Sequence, residues 1–134
     1  MNPRYPVVAA RAGHRCEYCQ APEAVFNFPF EVEHIVPPNR HGPDDESNWA
    51  LACRACNLPK SDHVEAVDPV SGARVRLFHP RRDNWQEHFR LDGATGEIVG
   101  LTAIGRATVA LLKMNSPAQL TARRLWSRLR LLPA

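Results

Sequence analysis

The sequence predicts an α+β fold, on three observations. Residues 25–36, VFNFPFEVEHIV, form a run rich in Val, Ile and Phe, which favours extended backbone. Trp49, Leu51 and Cys53 recur at period two, the spacing of one face of a short strand. Two segments near the carboxy end, 104–114 and 117–132, instead carry the spacing of amphipathic helices.

The elements follow in order. Pro6 to Ala12 reads as a short helix stopped by Gly13, and CEYC at 16–19 as a tight knuckle. Pro29 splits the apolar run or sits on an edge, and Pro37-Pro38 ends it. The stretch 37–48, PPNRHGPDDESN, is nearly all turn formers and reads as a loop. A helix is expected from Ala55 to Ala66, with Pro59 tolerated near its first turn. Residues 67–79 read as a hairpin around DPVSG, 84–88 as one helical turn, and DGATGE at 92–97 as a further turn. In 117–132, Ala122, Leu125, Trp126, Leu129 and Leu132 fall on one side, with Arg123, Arg124, Arg128 and Arg130 elsewhere.

With 134 residues, 44% hydrophobic and 23% charged, the chain suits one compact domain, expected to span 1–134. Within it, 14–66 form a motif core and 67–134 an extension ending in the basic helix 117–132. The opening MNPRYPVVAARAGH has no long apolar run, so neither a signal peptide nor a membrane partner is expected, and the cytoplasm is the expected home. The net charge is +3. From Leu101 onward there are six basic residues and no acidic ones, which leaves the first hundred residues net acidic. That asymmetry points either to a polyanionic partner or simply to a solvated helix face.

Cys16-x-x-Cys19 and Cys53-x-x-Cys56 have the spacing of a four-thiolate zinc site. A closed shell of four sulfurs leaves no open catalytic position, so this ion is expected to be structural. It would tie the amino-terminal knuckle to the junction of the second strand and its helix. A redox dithiol or free buried thiols are the alternatives.

Taken singly, His34 at a strand end, Asn48 at a loop end and Asn57 at a helix start each have an ordinary structural explanation. Taken together, Cys16-x-x-Cys19, Glu33-His34-Ile35-x-Pro37, Asn48 and Cys53-x-x-Cys56-Asn57-x-x-Lys60 resemble the HNH endonucleases over residues 16 to about 63. The resemblance implies a small ββα-metal core with a structural zinc site, flanked here by β-hairpins and carboxy-terminal helices. It also implies metal-dependent hydrolysis of phosphodiester bonds in DNA, with RNA not excluded.

By the same resemblance His34 corresponds to the general base, and Asn48 to the asparagine that orients its imidazole. Glu33 and Asn57 correspond to ligands of a catalytic Mg²⁺ or Mn²⁺. A histidine of near-neutral pKa can deprotonate water, and a divalent ion can shield charge at the phosphate and leaving oxygen. The chain departs from the commonest pattern in having Glu for Asp at 33 and Asn for His at 57. Neighbours on a regular strand point to opposite faces, so Glu33 and His34 share one site only if the strand twists or ends there. Ser61 and His63 are candidates for a third ligand.

Arg40, Lys60, Arg123, Arg124 and Arg128 are candidate phosphate contacts, with Arg81 and Arg82 further ones. Cutting both strands would call for a homodimer or two successive nicks. A zinc-braced nucleic-acid-binding module without catalysis, and a structural zinc protein with a protein partner, are the competing readings.

Overall fold

The computed structural model describes residues 2–133. Helix α1 (Tyr5–Arg11) has Pro6 in its first turn and turns Val8 and Ala9 inward. Strands β1 (Glu31–His34) and β2 (Trp49–Ala52) pair antiparallel, with His34 opposite Trp49 and Glu33 opposite Ala50. Helix α2 (Arg54–Lys60) starts directly after β2 and packs against β1. Short strands β3 (Glu65–Val67) and β4 (Arg74–Arg76) form one hairpin, and β5 (Phe89–Leu91) and β6 (Ile98–Gly100) another, preceded by the single turn α3 (Trp85–His88). Helices α4 (Ala103–Leu111) and α5 (Pro117–Arg128) complete the chain. This is a mixed arrangement of helices and three two-stranded antiparallel sheets, as the α+β reading expected. Among the described residues, no helix is long and apolar enough to cross a membrane.

Helix α4 stops at Leu111 instead of Met114, and two helices differ more from expectation. The one expected over 55–66 ends at Lys60, because Ser61 adopts φ 47°, ψ −126°. Residues 65–67 then pair with 74–76 instead, turning Ala66 inward and Glu65 and Val67 outward. The turn that joins them is built on Asp68. Its carboxylate accepts the Val70 and Ser71 N–H groups and the Ser71 hydroxyl, then receives the Arg106 guanidinium of α4 at 2.9 and 2.8 Å. A short local turn and a long-range ion pair together outweigh the helical tendency of 61–66.

Helix α5 ends four residues earlier than expected, with Leu129 as its cap and Arg130 at φ 57°. Its inward side is also different. Trp126 packs on Phe26, 6.0 Å between ring centroids, while Leu125 and Leu129 lie exposed. Arg123 takes the central inward position. Its guanidinium donates to the Gly96 carbonyl at 2.5 Å, to the Met114 carbonyl and to Asn115 Oδ1. Backbone carbonyls at the ends of neighbouring elements supply the acceptors that a buried guanidinium needs. Gly96 permits the approach, since a Cβ there would lie 2.4 Å from the Leu120 carbonyl oxygen.

The main core joins both parts of the chain. Val8, Tyr18, Phe30, Ala50 and Leu51 pack in one cluster with Phe78, Phe89, Ile98, Leu112 and Met114. The extension therefore completes the hydrophobic core of the motif region.

Candidate functional site

The four cysteines converge. Their sulfurs all lie within 4.8 Å of one another, and all four residues are buried. Cys19 Sγ and Cys53 Sγ are 3.7 Å apart. A tetrahedral Zn²⁺ with bonds of about 2.3 Å needs sulfur separations of about 3.8 Å, so the donor set fits that ion. The backbone supplies the convergence. The Cys16 N–H donates to the Ala21 carbonyl and the Gln20 N–H to the Cys16 carbonyl, closing the first knuckle around Gln20 at φ 68°. The Cys56 and Asn57 N–H groups both donate to the Cys53 carbonyl, closing the second. Glu17 locks the first knuckle onto β2: its N–H reaches the Leu51 carbonyl and its carboxylate accepts the Leu51 N–H. Without an ion, the crowded thiols titrate apart. Hydrogen bonding from Cys16 and its neighbours lowers the Cys53 pKa strongly, whereas Cys19 and Cys56 are pushed up, first by the bond with Cys16. An ion would release the protons that Cys19 and Cys56 retain.

The side chain of His34 lies beside the loop that follows β1. Its Nε2 meets Asp44 Oδ1 at 3.0 Å. Arg4, reaching from the start of α1, donates to Asp44 Oδ2 at 2.7 Å and lies 4.4 Å from the centroid of the Trp49 ring, the partner of His34 across the hairpin. The His34 ring, and then Arg4, hold the Asp44 carboxyl below its usual range. With Nε2–H directed at a carboxylate, the neutral ring carries its lone pair on Nδ1. That atom has no protein partner among the described residues.

Asn48 is placed differently from the expectation. Its amide does not reach the imidazole. Oδ1 accepts the Val36 N–H at 2.8 Å, and Nδ2 donates to the Val36 and Pro43 carbonyls, each at 2.8 Å. Asn48 thus pins the loop that carries Asp44 back onto the end of β1. The packing there is tight: a Cβ on Gly42 would lie 1.7 Å from the Val36 oxygen and 3.0 Å from Asn48 Nδ2. Asp44 is the residue sequence reasoning missed. It is hidden in the acidic run PDDE, where its neighbour Asp45 does the ordinary work of capping a turn at Ser47. No spacing signal separates the two.

Glu33 is not brought together with His34. The strand stays regular through residue 34, so the two side chains fall on opposite faces. Glu33 is 7% exposed. One carboxylate oxygen accepts the Tyr18 hydroxyl, and the other faces Lys60 Nζ at 3.0 Å. Burial raises the Glu33 pKa, against the pull of Lys60 and Tyr18. Burial, then Glu33, pushes the Tyr18 phenol up. Lys60 is itself 1% exposed and also donates to the Ile35 carbonyl at 2.8 Å. It is therefore withheld from the phosphate contact expected of it. Asn57 donates through Nδ2 to Glu31 Oε2 at 2.5 Å, away from Glu33's carboxylate partners. Glu33 and Asn57 as arranged do not fit a shared divalent ion, because both Glu33 oxygens are committed and shielded from water. Ser61 lies beyond the end of α2, and Ser61 and His63 are both exposed.

The basic candidates divide. Arg123 is 1% exposed and holds backbone carbonyls, so it offers nothing to a phosphate. Arg81 is paired with Glu17, and Arg124 donates to the Thr95 carbonyl at 3.3 Å. Arg40, Arg82 and Arg128 are exposed.

The family model for HNH endonucleases matches residues 16–63, the stretch that holds both cysteine pairs, His34, Asn48 and Asn57. That stretch is similar to the HNH endonuclease family and covers about a third of the chain. No curated protein and no solved structure gives a significant match.

Proposed function

We propose that this protein is an HNH-type nuclease that hydrolyses phosphodiester bonds in DNA, with His34 as the general base. The observation that carries the reading is the His34–Asp44 pair within the HNH-matched segment. A carboxylate on Nε2 fixes the tautomer and orientation of the ring, and it favours the imidazolium formed when Nδ1 takes a proton from water. Arg4 steadies Asp44 and adds positive charge where a phosphate would approach. Asn48 acts as a positioning residue through the Val36–Pro43 loop. The four-cysteine site is read as structural Zn²⁺, its sulfur set complete without solvent.

The Mg²⁺ or Mn²⁺ suggested by the resemblance finds no ready pair of ligands in Glu33 and Asn57. That same observation supports a second reading. A Glu33 neutralised by Lys60 suits a zinc-braced module that binds nucleic acid without cutting it.

A plasmid-nicking assay with Mg²⁺, Mn²⁺ or EDTA separates the two, run beside His34→Ala at equal zinc content. Nicking by the wild type but not by His34→Ala supports the nuclease. Binding without cleavage by either protein, on plasmid, single-stranded DNA and RNA, supports the module.

A further inference from the structure

A cleft of about 460 Å³ lies between the HNH segment and the extension. Ile35, Val36, Arg40 and Lys60 line it from one side, and Arg76, His79 and Arg82 are among the residues from the other. Ile35 directly follows His34, about 3.8 Å away between Cα atoms, so the cleft begins where the base-bearing strand ends.

Much of the charge around it is already paired. Lys60 faces Glu33, Arg76 makes two bonds to Asp83 at 2.7 and 2.9 Å, and Glu65 meets Arg74 at 3.5 Å. Arg40 and Arg82 remain, with no salt bridge to a carboxylate among the described residues. Arg40 donates only Nε, to the Asp62 carbonyl at 2.8 Å, which leaves both terminal nitrogens of its guanidinium. One oxygen of the nearby Asp62 carboxylate accepts a hydrogen bond from Asn39 Nδ2 at 3.3 Å, and the Arg40 charge acts on that carboxylate without forming a salt bridge. The Arg82 side chain is exposed and makes no hydrogen bond among the described residues. His79 adds a neutral donor. Its Nδ1 accepts the Arg81 N–H at 3.2 Å, so the uncharged ring carries its proton on Nε2. Burial, then the Arg82 charge, lowers its pKa and keeps it uncharged at neutral pH.

We propose that this cleft is a phosphate-binding site for the nucleic-acid backbone, in which Arg40 and Arg82 supply charge and His79 a hydrogen bond beside the phosphodiester held at His34. The site rests on the nucleic-acid reading given above and assigns the extension a part in substrate binding. Two arginines without carboxylate partners flank a concave wall, and the ligand that neutralises them is anionic. A backbone phosphate matches the guanidinium in shape and charge. Successive phosphates of one strand advance about 3.4 Å along a duplex axis, so a strand engaged at His34 carries its next phosphates past the end of β1.

The test uses the full chain with His34→Ala, so that the probe is not cut, and fluorescently labelled 20-mers of single-stranded and duplex DNA. Affinity is measured by anisotropy across a potassium chloride series. Arg82→Gln is expected to weaken binding about three- to tenfold at 100 mM salt, and to reduce the slope of log affinity against log salt by about 0.7 on single strands and 0.9 on duplex. Arg40→Gln should behave alike and Arg40→Lys should restore most of the slope, while Arg90→Gln on β5 should leave it unchanged. Binding whose slope is unaltered by Arg82→Gln, or altered equally by Arg90→Gln, overturns the cleft and leaves the nuclease reading standing. Failure of the parent chain to bind either oligonucleotide sinks both.

Discussion

Replacing Lys60 by methionine tests how the site is held together. Methionine keeps the length and the apolar stem, and it removes the ammonium. Three contacts are lost: the 3.0 Å ion pair with Glu33, the 2.8 Å bond to the Ile35 carbonyl and a longer 3.4 Å bond to the His34 carbonyl. The Ile35 carbonyl bond contributes about 1 kcal/mol. The larger effect is the carboxylate left behind, 7% exposed with Tyr18 as its one remaining donor. Removing one member of a buried pair costs about 3–5 kcal/mol. For a chain of this size that corresponds to a fall in Tm of about 10–20 °C.

The assay is urea and thermal unfolding of the single variants and of the Glu33→Gln/Lys60→Met double variant, at equal zinc content. The double variant should recover to within about 2 kcal/mol of wild type, because no buried charge remains unpaired. The pH dependence has a definite sign. Burial raises the Glu33 pKa in the folded state. A raised carboxyl pKa contributes stability that is present at low pH and lost as pH rises through the folded value. Without Lys60 that rise grows, so Lys60→Met should be less impaired at pH 5 than at pH 8. A loss under 1 kcal/mol, or a double variant no better than Lys60→Met, would refute the reasoning.

Further outcomes follow from the same geometry. Asp44→Asn should reduce kcat for nicking about ten- to a hundredfold, because the His34 ring loses the carboxylate that orients it. Asp44→Glu should restore part of the rate, and a rate no better than that of Asp44→Asn would contradict the carboxylate's role. Gly42→Ala should lower Tm and nicking together, because its Cβ has no room beside the Val36 oxygen; equal stability of the two proteins would contradict the tight loop. Removing the ion with a strong chelator should abolish the cooperative melt and be reversed by added Zn²⁺, read by circular dichroism. Asp68 is held below the usual carboxylate range, chiefly by Arg106. Its share of stability is therefore present above the ordinary carboxyl pKa and lost as pH falls, and Asp68→Asn should flatten that acid limb in pH-dependent melts.

The parts of the site that depend on periodic or spaced signals were legible in the sequence. The cysteine pairs, the strand beginning at Trp49 and the start of the helix after Cys53 are all local patterns that occur where the sequence places them, while the apolar run 25–36 yields a strand only over 31–34 and the helix after Cys53 stops at Lys60. What failed depended on direction. Glu33 and His34 are adjacent in sequence but face opposite sides of a regular strand, so the motif's acid became half of a buried ion pair. Lys60 and Arg123 illustrate the same limit. A basic residue in sequence carries no sign of whether its stem leads into solvent or toward carbonyls inside. Leu125 and Leu129 are the converse case, because the helix rotates to bury the arginine. Asp44 was invisible because its partner lies ten residues away across an irregular loop.

The cysteine pairs also impose an order in time. Cys16 and Cys53 are 37 positions apart, and the whole β1–β2 hairpin lies between them. At roughly 5–20 residues per second of synthesis, the first knuckle waits about two seconds or more for its partners. During that interval Cys16 and Cys19 are exposed thiols on a nascent chain, open to oxidants and to competing metals. Once Cys56 follows, an ion held by the four sulfurs would close a loop of about forty residues, a constraint comparable in entropy to a disulfide of about 4 kcal/mol. On the zinc reading, the chain would be most open to thiol chemistry before its second cysteine pair is made.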